Sequence, residues 1–376
     1  MNIAKPQIGS DYLNKSPNIY VAYHVHSMLS SGTTNIDSIT NFRDYVEAAK
    51  ACGMPALGIS EHGNAFEWLH KKEAIENAGM KYLHCVEAYL TEDNDKKCKM
   101  YNAVDIFHSV INNKDFRIRF HKYYQTEDDK WVAVAESDDN NINGKVLPID
   151  IDTLKPEYVK TRDNYHCVLI ARNYDGVKEL NKLISKSFCR TDYHFYYMPR
   201  ISFDELFNTS KNIIITTACL GGVLNNGTSL AKERMLSFLT ENKDRCFLEI
   251  QHHSCDDQIQ YNRVLYEISK DTGIPLIAGT DTHALNDEHM DGRAMLQKAK
   301  NVRFANEDDW DLTFKTTEEL LAAYKKQNSL PVDVIYEAIN NTVKMADMVD
   351  EFKLDYSAKY PKLYADSEGV FKDKIN

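Results

Sequence analysis

Two pairs of residues in this sequence have the spacing expected of metal ligands. His24 and His26 are separated by one residue, as are Asp281 and His283. Residues two apart in a β-strand point to the same side, so the members of each pair would face one site. Imidazole and carboxylate groups are common ligands of zinc, manganese and iron. A single pair is also compatible with half-exposed polar residues on a surface strand, so a metal site requires further ligands.

Other ionisable side chains lie next to short apolar runs along the chain. His62, Glu87 and Cys219 each follow such a run, whereas His166 opens one. The possible metal ligands are therefore His24, His26, His62, Glu87, His166, Cys219, Asp281 and His283. Because one ion takes about four to six ligands, this set predicts a cluster of about two or three divalent ions, with zinc, manganese and iron as the candidates.

Clustered divalent ions favour the hydrolysis of phosphate esters. Such ions hold a phosphate group, lower the pKa of a bridging water and stabilise the leaving oxygen. We expect the catalytic residues to be His24, His26, His62, Asp281 and His283. Arg200 and His253 are candidates for contacting the phosphate of the substrate. For these two residues, a surface ion pair and a capped strand end are the alternative interpretations.

A repeating pattern of strands and helices must position these residues. The apolar runs have the composition of strands buried on both faces. They are residues Ile19–Val25, Ala56–Ser60, Tyr82–Val86, His166–Ile170, Ile213–Thr217, Phe247–Ile250 and Pro275–Gly279. Alternation with helices predicts parallel βαβ units and an α/β fold, which is a distorted (β/α)7 barrel or, alternatively, an open doubly wound sheet. In such barrels the active site lies at the carboxyl ends of the strands.

The helical stretches are bounded by capping residues and glycines. Asp37 is a possible N-cap for a helix that runs to about Cys52. The other predicted helices are residues 64–78, 175–186, 230–242, 257–271, 287–300, 317–327 and 331–350. We therefore expect a barrel domain at residues 18–300 and a helical extension at residues 301–376.

A long polar segment at about residues 92–162 interrupts the pattern and is predicted to be an insertion of a few strands. Within it, Arg117, Arg119 and His121 alternate with apolar residues over Phe116–His121. A strand there would have one basic and one apolar face. The basic face could guide a nucleic acid toward the metal site, although a solvated face is the simpler interpretation.

Composition limits the protein's surroundings and partners. The formal net charge of −11 disfavours general binding of nucleic acid, so contacts with DNA should be local. The eight cysteines have irregular spacing and the start of the chain has no apolar leader, which together predict reduced thiols and a cytoplasmic protein. No apolar run is long enough to suggest a membrane span.

Eight motifs occur in the order found in one known family. They are HVHS, SEHGN, VEAYL, YHCVLIARN, FYYMPRI, TTACLGG, FLEIQHH and IPLIAGTDTHAL. Together, over residues 20 to about 286, they resemble the PHP (polymerase and histidinol phosphatase) domain of DNA polymerase III alpha subunits. The resemblance implies a distorted seven-stranded barrel, a trinuclear metal site and the eight ligands named above. It also implies a phosphoesterase, or a 3′–5′ exonuclease that acts in DNA replication and proofreading, with DNA or another phosphate ester as its substrate.

The sequence departs from the family pattern in two places. Glu61 stands where the family usually has aspartate, and Ser27–Gly32 offers only serines where a ninth ligand is usual. Asp37 is too uncertain in position to be assigned as a substitute. The tail to about Asp350 resembles the helical segment that follows the domain in those polymerases. The chain would then be a free-standing PHP protein or one piece of a polymerase, with the remaining fragment as a possible partner and no polymerase activity of its own.

Two alternatives to a phosphodiester-cleaving enzyme remain open. PHP domains can persist as structural modules after losing ligands, but eight of the nine expected ligand types are present here. A small-molecule phosphatase resembling histidinol phosphatase is disfavoured by TTACLGG and by the tail helices. The stretch Pro148–Asp152 resembles the paired carboxylates of a polymerase palm. Its place within the insertion favours an ordinary solvated alternation.

Overall fold

A computed structural model shows how the chain is arranged. The described residues are 19–34, 36–94, 97–101, 103–109, 114–126, 128, 130–136, 140–141, 143–148, 156–160, 163–302, 307, 310–355 and 357. Pro148–Asp152 lies almost entirely outside them.

The strands form a mixed sheet and three smaller sheets. They are β1 (Ala56–Gly58), β2 (Lys81–Leu83), β3 (Cys85–Thr91), β4 (Lys97–Tyr101), β5 (Ala103–Ser109), β6 (Lys114–Gln125), β7 (Trp131–Glu136), β8 (Val146–Pro148), β9 (Pro156–Lys160), β10 (Tyr165–Ala171), β11 (Arg200–Ser202), β12 (Ile213–Thr216), β13 (Cys246–Gln251) and β14 (Leu276–Gly279). The six-stranded sheet has the order β11-β3-β10-β12-β13-β14, and β1 pairs with β2. Together with the helices that follow the strands, these sheets confirm the α/β class.

The helices lie close to their predicted positions. They are α1 (Phe42–Ala51), α2 (Trp68–Asn77), α3 (Tyr174–Ser187), α4 (Phe203–Phe207), α5 (Val223–Asn226), α6 (Ser229–Glu241), α7 (Asp256–Thr272), α8 (Asp287–Ala299), α9 (Thr317–Gln327) and α10 (Val332–Asp347), with a 3-10 turn at Met28–Gly32. The predicted start of the first helix was wrong. Asn41 caps α1 by accepting a hydrogen bond from the Arg43 amide at 3.0 Å, which leaves Asp37 outside the helix.

Strand β10 runs against its neighbours, which corrects the expectation of an all-parallel sheet. It is antiparallel to β3 and to β12, whereas the pairs β11–β3, β12–β13 and β13–β14 are parallel. A parallel return from β3 would need a crossover helix, but the chain instead passes through strands β4–β9. The start of β10 therefore lies at the edge where the parallel strands end, which explains why His166 opens its strand.

The predicted first and third strands also differ in detail. Residues 20–26 do not form a regular strand, but their backbone makes hydrogen bonds with β1 on one side and with the segment after β14 on the other. The Gly58 amide donates to the Ala22 carbonyl at 2.9 Å, and the His26 amide donates to the Thr282 carbonyl at 2.7 Å. The third run is split into β2 and β3, and Glu87 lies within β3 rather than at its end.

The insertion contains the strands that were predicted for it. Strands β5–β8 form one antiparallel sheet, and β4 pairs with β9. The predicted strand Phe116–His121 lies within β6. The side chains of Arg117, Arg119 and His121 lie outside the description, so the basic face stays a prediction.

The helices of the C-terminal extension pack on the strands. The Tyr324 hydroxyl in α9 donates to the Ile250 carbonyl at 2.7 Å, and the Asn341 amide in α10 donates to the Leu276 carbonyl at 2.7 Å. Ile335 and Ile339 of α10 are buried in the main hydrophobic core. Across the described parts of the chain, no helix combines the length and the apolar character that crossing a membrane requires.

Candidate metal centre

Glu87 lies at the middle of a cluster of imidazole rings. Its Oε1 is 3.3 Å from Nε2 of His24 and 2.9 Å from Nδ1 of His166. Its Oε2 is 3.2 Å from Nε2 of His26 and 2.9 Å from Nδ1 of His62. Strand β3 holds this carboxylate where β1, β10 and residues 20–26 converge, so a single side chain is shared by four potential ligands.

Asp281, which follows β14, brings the end of the six-stranded sheet to the same place. Its Oδ1 is 3.2 Å from Nε2 of His24 and 3.3 Å from Nε2 of His26. The ligand atoms of His24, His26, Glu87 and Asp281 all lie within 4.8 Å of one another. Asp281 follows β14 with a φ of +47°, a left-handed conformation that few non-glycine residues adopt and that is often retained at functional sites.

Asp37 completes a second group of potential ligands that the sequence did not reveal. Its Oδ1 is 3.3 Å from Nε2 of His62 and 3.3 Å from Nε2 of His283, and its side chain is buried. The ligand atoms of His26, Asp37, His62 and His283 form a compact group. The 3-10 turn after His26 leads the chain back to the site. No pattern of spacing in the sequence predicts this path.

His62, Glu87 and His166 form the third group. Cys219 lies next to it. The Sγ of Cys219 is 3.3 Å from Nδ1 of His166 and 3.8 Å from Oε1 of Glu87. The structure therefore brings all eight ligands predicted from sequence together with Asp37, although Cys219 sits at the margin of the three groups.

Several atoms in this centre are buried without a hydrogen-bond partner. They are Nε2 of His24, Nε2 of His26, Oδ2 of Asp37, Nδ1 of His62, Oε2 of Glu87 and Oδ1 of Asp281. Buried polar atoms are nearly always paired, so their convergence calls for a group that accepts electron pairs from both imidazoles and carboxylates. A divalent cation is such a group, and the donor set of nitrogen, oxygen and one sulfur suits zinc, manganese or iron.

Charges in the centre are strongly coupled. Burial alone would raise the pKa of Glu87, but His166, His24 and other imidazoles outweigh burial and hold it well below its usual value. Burial likewise would raise the pKa of Asp281, but His24 and the other nearby imidazoles outweigh burial and hold it well below its usual value. Burial lowers the pKa of His24, but the carboxylates around it, with Glu249 foremost, raise it well above normal. Without a bound cation, the site therefore favours charged imidazolium–carboxylate pairs.

Glu249 orients His24 from outside the cluster. Its Oε1 lies 2.6 Å from Nδ1 of His24, and its Oε2 accepts hydrogen bonds from Tyr23 at 3.0 Å and Thr216 at 2.8 Å. A carboxylate on one ring nitrogen fixes the tautomer and leaves the other nitrogen free for a metal. Gly279 makes room for it, because a Cβ there would lie 2.2 Å from Oε1 of Glu249. Glu249 was not predicted as a site residue, because it lies inside the largely apolar strand β13.

Glu61 supports the other side of the centre. Its carboxylate accepts hydrogen bonds from the Ser30 hydroxyl at 2.6 Å and from the Ser27 amide at 3.0 Å, and it pairs with Lys71 Nζ at 2.6 Å. The Ser30 Oγ lies 3.2 Å from Nδ1 of His26. The two departures from the family pattern are thus linked, because the longer Glu61 side chain engages the serines that follow His26.

Arg200 is buried and bound to the backbone. Its guanidinium donates to the carbonyls of Asp163 at 3.2 Å and Tyr193 at 3.4 Å, and it lies over the rings of Tyr196 and Tyr197. These contacts differ from the surface ion pair that was the alternative interpretation. They show Arg200 holding two loops together, and its contact with a phosphate stays a prediction.

His253 is fully buried beside His252. Its ring stacks on Trp310 with centroids 5.3 Å apart, and neither of its ring nitrogens has a hydrogen-bond partner. Burial lowers its pKa to about 4. His253 is therefore neutral near pH 7 and can donate or accept a hydrogen bond, but it does not provide a positive charge.

Sequence similarity to known proteins extends over most of this chain. The family model of the PHP domain matches residues 22–253. DNA polymerase III subunit alpha of Borreliella burgdorferi is 27% identical over 349 residues, which cover 90% of this chain and 24% of that protein. The Aquifex aeolicus protein of the same name is 28% identical over 274 residues, covering 72% of this chain and 18% of that protein.

The chain thus spans about a quarter or less of the length of these relatives. A solved structure from Bifidobacterium adolescentis, described as a candidate metal-dependent phosphoesterase, aligns with 72% of this chain and 89% of its own at 13% identity and a TM-score of 0.38. The assignment therefore rests on the family match, which covers more than half of the chain and includes His24, His26, His62, Glu87, His166 and Cys219. The chain belongs to the PHP domain family.

Proposed function

We propose that this chain is a metal-dependent phosphoesterase that cleaves phosphodiester bonds in DNA as a 3′–5′ exonuclease. The observation that carries the proposal is the convergence of nine potential ligands with orphaned buried atoms. They are His24, His26, Asp37, His62, Glu87, His166, Cys219, Asp281 and His283. The three ligand groups would suit about two or three divalent ions, of which zinc, manganese and iron are the candidates.

The protein's own residues would hold the reacting groups in place. Divalent ions bound there would polarise a phosphate and lower the pKa of a water molecule. Glu249 and Ser30 contact the Nδ1 atoms of His24 and His26, so that both Nε2 atoms face the centre. Burial of the centre excludes competing water, which strengthens each electrostatic contact. His253 would contribute a neutral hydrogen bond to the substrate, and Arg200 would position the surrounding loops or contact the phosphate.

The biological setting is part of the proposal. The curated relatives are named DNA polymerase III subunit alpha, and this chain matches only a portion of each. We infer that the chain works in DNA replication in the cytoplasm, with DNA as substrate and the remainder of a polymerase as a candidate partner.

Metal analysis paired with a nuclease assay tests the proposal. The purified protein should carry transition metal and shorten a 5′-labelled single strand from its 3′ end. Asp281→Asn and His26→Ala should abolish this hydrolysis, because each removes a shared ligand. Asp44→Asn, a change at an exposed acidic residue of α1, is the matched control and should retain activity.

Two outcomes would contradict the proposal. Hydrolysis by Asp281→Asn and His26→Ala at the parent's rate would show that the site is misplaced. A parent protein that retains its metal but cleaves no phosphodiester would instead favour a structural module.

A further inference from the structure

A short hairpin beside the metal centre exposes two aromatic rings. Phe195 and Pro199 form an antiparallel bridge, and Tyr196, Tyr197 and Met198 form the turn between them. We call residues 195–199 the aromatic hairpin. Tyr196 and Tyr197 have 38% and 36% of their surface exposed, and their ring centroids are 5.9 Å apart at an angle of 88°. More than a third of each tyrosine is thus exposed, and the two rings differ in orientation.

The base of the aromatic hairpin adjoins the candidate metal centre. A Cβ on Gly63 would lie 2.7 Å from Cγ of Pro199 and 3.2 Å from Cδ2 of Tyr89 in β3. The hairpin and β3 therefore both pack directly on Gly63. Gly63 follows His62, whose ring stacks on Tyr89 with centroids 5.6 Å apart. Tyr197 and Tyr196 are two and three residues from Pro199, so their Cα atoms lie within roughly 7 and 11 Å of the Cα of Pro199.

The hairpin is held rigidly at its base. The Phe195 amide donates to the Cys189 carbonyl at 2.8 Å, and the Arg200 amide donates to the His194 carbonyl at 3.2 Å. The buried His194 ring contacts Glu205 at 2.9 Å. A platform fixed in this way would lose little conformational freedom on binding a ligand.

We propose that the aromatic hairpin is a stacking platform for unpaired bases of a single-stranded nucleic acid whose end enters the metal centre. This inference rests on the phosphoesterase function proposed above. Stacking of bases on aromatic side chains tolerates any sequence and requires bases that are not paired. The net charge of −11 prevents the chain from relying on phosphate neutralisation alone, so ring faces are a suitable source of affinity.

Positive charge is nevertheless available at the platform. The guanidinium carbon of Arg190, an exposed residue, lies 4.7 Å from the ring centroid of Phe195. Arg200 lies near the rings of Tyr196 and Tyr197 but is buried and bound to backbone carbonyls, so Arg190 supplies the charge that a ligand can reach. Guanidinium groups beside aromatic rings suit a ligand that alternates bases with phosphates, and they fit an apolar protein partner less well.

Equilibrium binding to a thymidine strand of about 12 nucleotides tests the platform, since sites of this type span roughly 4–16 nucleotides. Phosphorothioate linkages would keep the strand intact during the measurement by fluorescence anisotropy. The double variant Tyr196→Ala/Tyr197→Ala should bind about 10-fold more weakly for each ring that stacks on a base. The matched variant Tyr196→Phe/Tyr197→Phe keeps both ring faces and should bind within about 2-fold of the parent.

An abasic strand of equal length separates stacking from charge. It should bind the parent weakly, and its affinity should not change in the alanine variant. The platform would be overturned if the alanine variant lost equal affinity for the two strands or bound the thymidine strand as tightly as the parent does. It would also be overturned if the parent did not bind the thymidine strand. Thermal melting would verify folding, with the single variants Tyr196→Ala and Tyr197→Ala replacing the double variant if it unfolds.

Hydrolysis of methyl p-nitrophenyl phosphate distinguishes failure of the platform from failure of the enzyme. This substrate has no neighbouring nucleotides whose bases could stack on the hairpin, so all variants should cleave it at the parent's rate. A parent that binds the thymidine strand through the tyrosines but cleaves no phosphodiester would overturn the proposed function alone.

Discussion

The carboxylates of the centre differ in how many imidazole rings they contact. Glu87 contacts His24, His26, His62 and His166, whereas Asp37 contacts the second group alone. Removing a ligand shared by several ions should cost more metal than removing one that serves a single ion.

We therefore predict that Asp37→Asn lowers the metal content by about one ion per chain and that Glu87→Gln lowers it further. Elemental analysis of the purified variants measures both contents. Asp44→Asn on the exposed face of α1 should leave the content unchanged. Full metal content in Asp37→Asn would exclude Asp37 as a ligand.

Most residues of this candidate centre were predictable from the sequence, but Asp37 and Glu249 were not. The pairs at His24–His26 and Asp281–His283 were visible because strand geometry alone fixes how residues two apart point. Asp37 was missed because its position depends on the path of a turn, which periodicity does not encode. Glu249 was missed because a buried carboxylate inside a strand becomes meaningful only when its partner is known.

The imidazoles of the centre also set a pH dependence. Burial lowers the pKa values of His24, His62 and His283, but neighbouring acidic groups, chiefly Glu249 for His24 and Asp37 for His283, raise all three above normal. A histidine whose pKa is raised by folding stabilises the folded protein fully when the pH is below its unfolded pKa of about 6.5. This contribution to the free energy of unfolding is lost as the pH rises through its folded pKa.

The metal-stripped protein should accordingly melt at a lower temperature at pH 8.5 than at pH 6.5. The metal-loaded protein should not show this loss, because bound ions take the place of the protons. Differential scanning calorimetry of both forms measures the effect. An equal or higher melting temperature at pH 8.5 for the stripped form would contradict the assigned pairs.

At the scale of elements, one buried ion pair ties α2 to Glu61, whose carboxylate also accepts hydrogen bonds from the turn after His26. Nζ of Lys71 lies 2.6 Å from Oε1 of Glu61, and both side chains are almost fully buried. Removing one partner of such a pair leaves an uncompensated charge, whereas removing both does not.

Lys71→Met should therefore lower the free energy of unfolding by roughly 3 kcal/mol, and Glu61→Gln/Lys71→Met should recover part of that loss. Urea denaturation of the metal-stripped proteins measures both changes without a contribution from bound ions. Lys50→Met, at the exposed end of α1, controls for the loss of a lysine. A double variant no more stable than Lys71→Met would show that the pair itself is not the cause.

The direction of strand β10 is a feature that the pattern of apolar residues does not predict. Its apolar composition was recognised, because a strand buried on both faces is apolar whichever way it runs. Direction depends on the connection, and here antiparallel strands within the predicted insertion, rather than a crossover helix, join β3 to β10. The position of His166 at the start of its run was the one available sign of this reversal.

At the scale of the whole molecule, the C-terminal helices share the core with the strands. Ile339 of α10 is fully buried in that core, whereas Val332 on the same helix is 44% exposed. Ile339→Ala should lower the free energy of unfolding by about 2–5 kcal/mol. Val332→Ala should have a much smaller effect, and urea denaturation compares the two. Equal effects would mean that α10 does not pack as described.

The pairing of β3 with β10 has a consequence for how this protein could be rebuilt. Six residue pairs, from Cys85–Ile170 to Leu90–Tyr165, join the two strands as antiparallel neighbours. Antiparallel neighbours can be connected by a turn of about two residues, so the route between their ends is free to vary. Residues 95–162 therefore occupy an exchangeable position, where a short turn or an unrelated domain could be grafted while Glu87 and His166 keep their places.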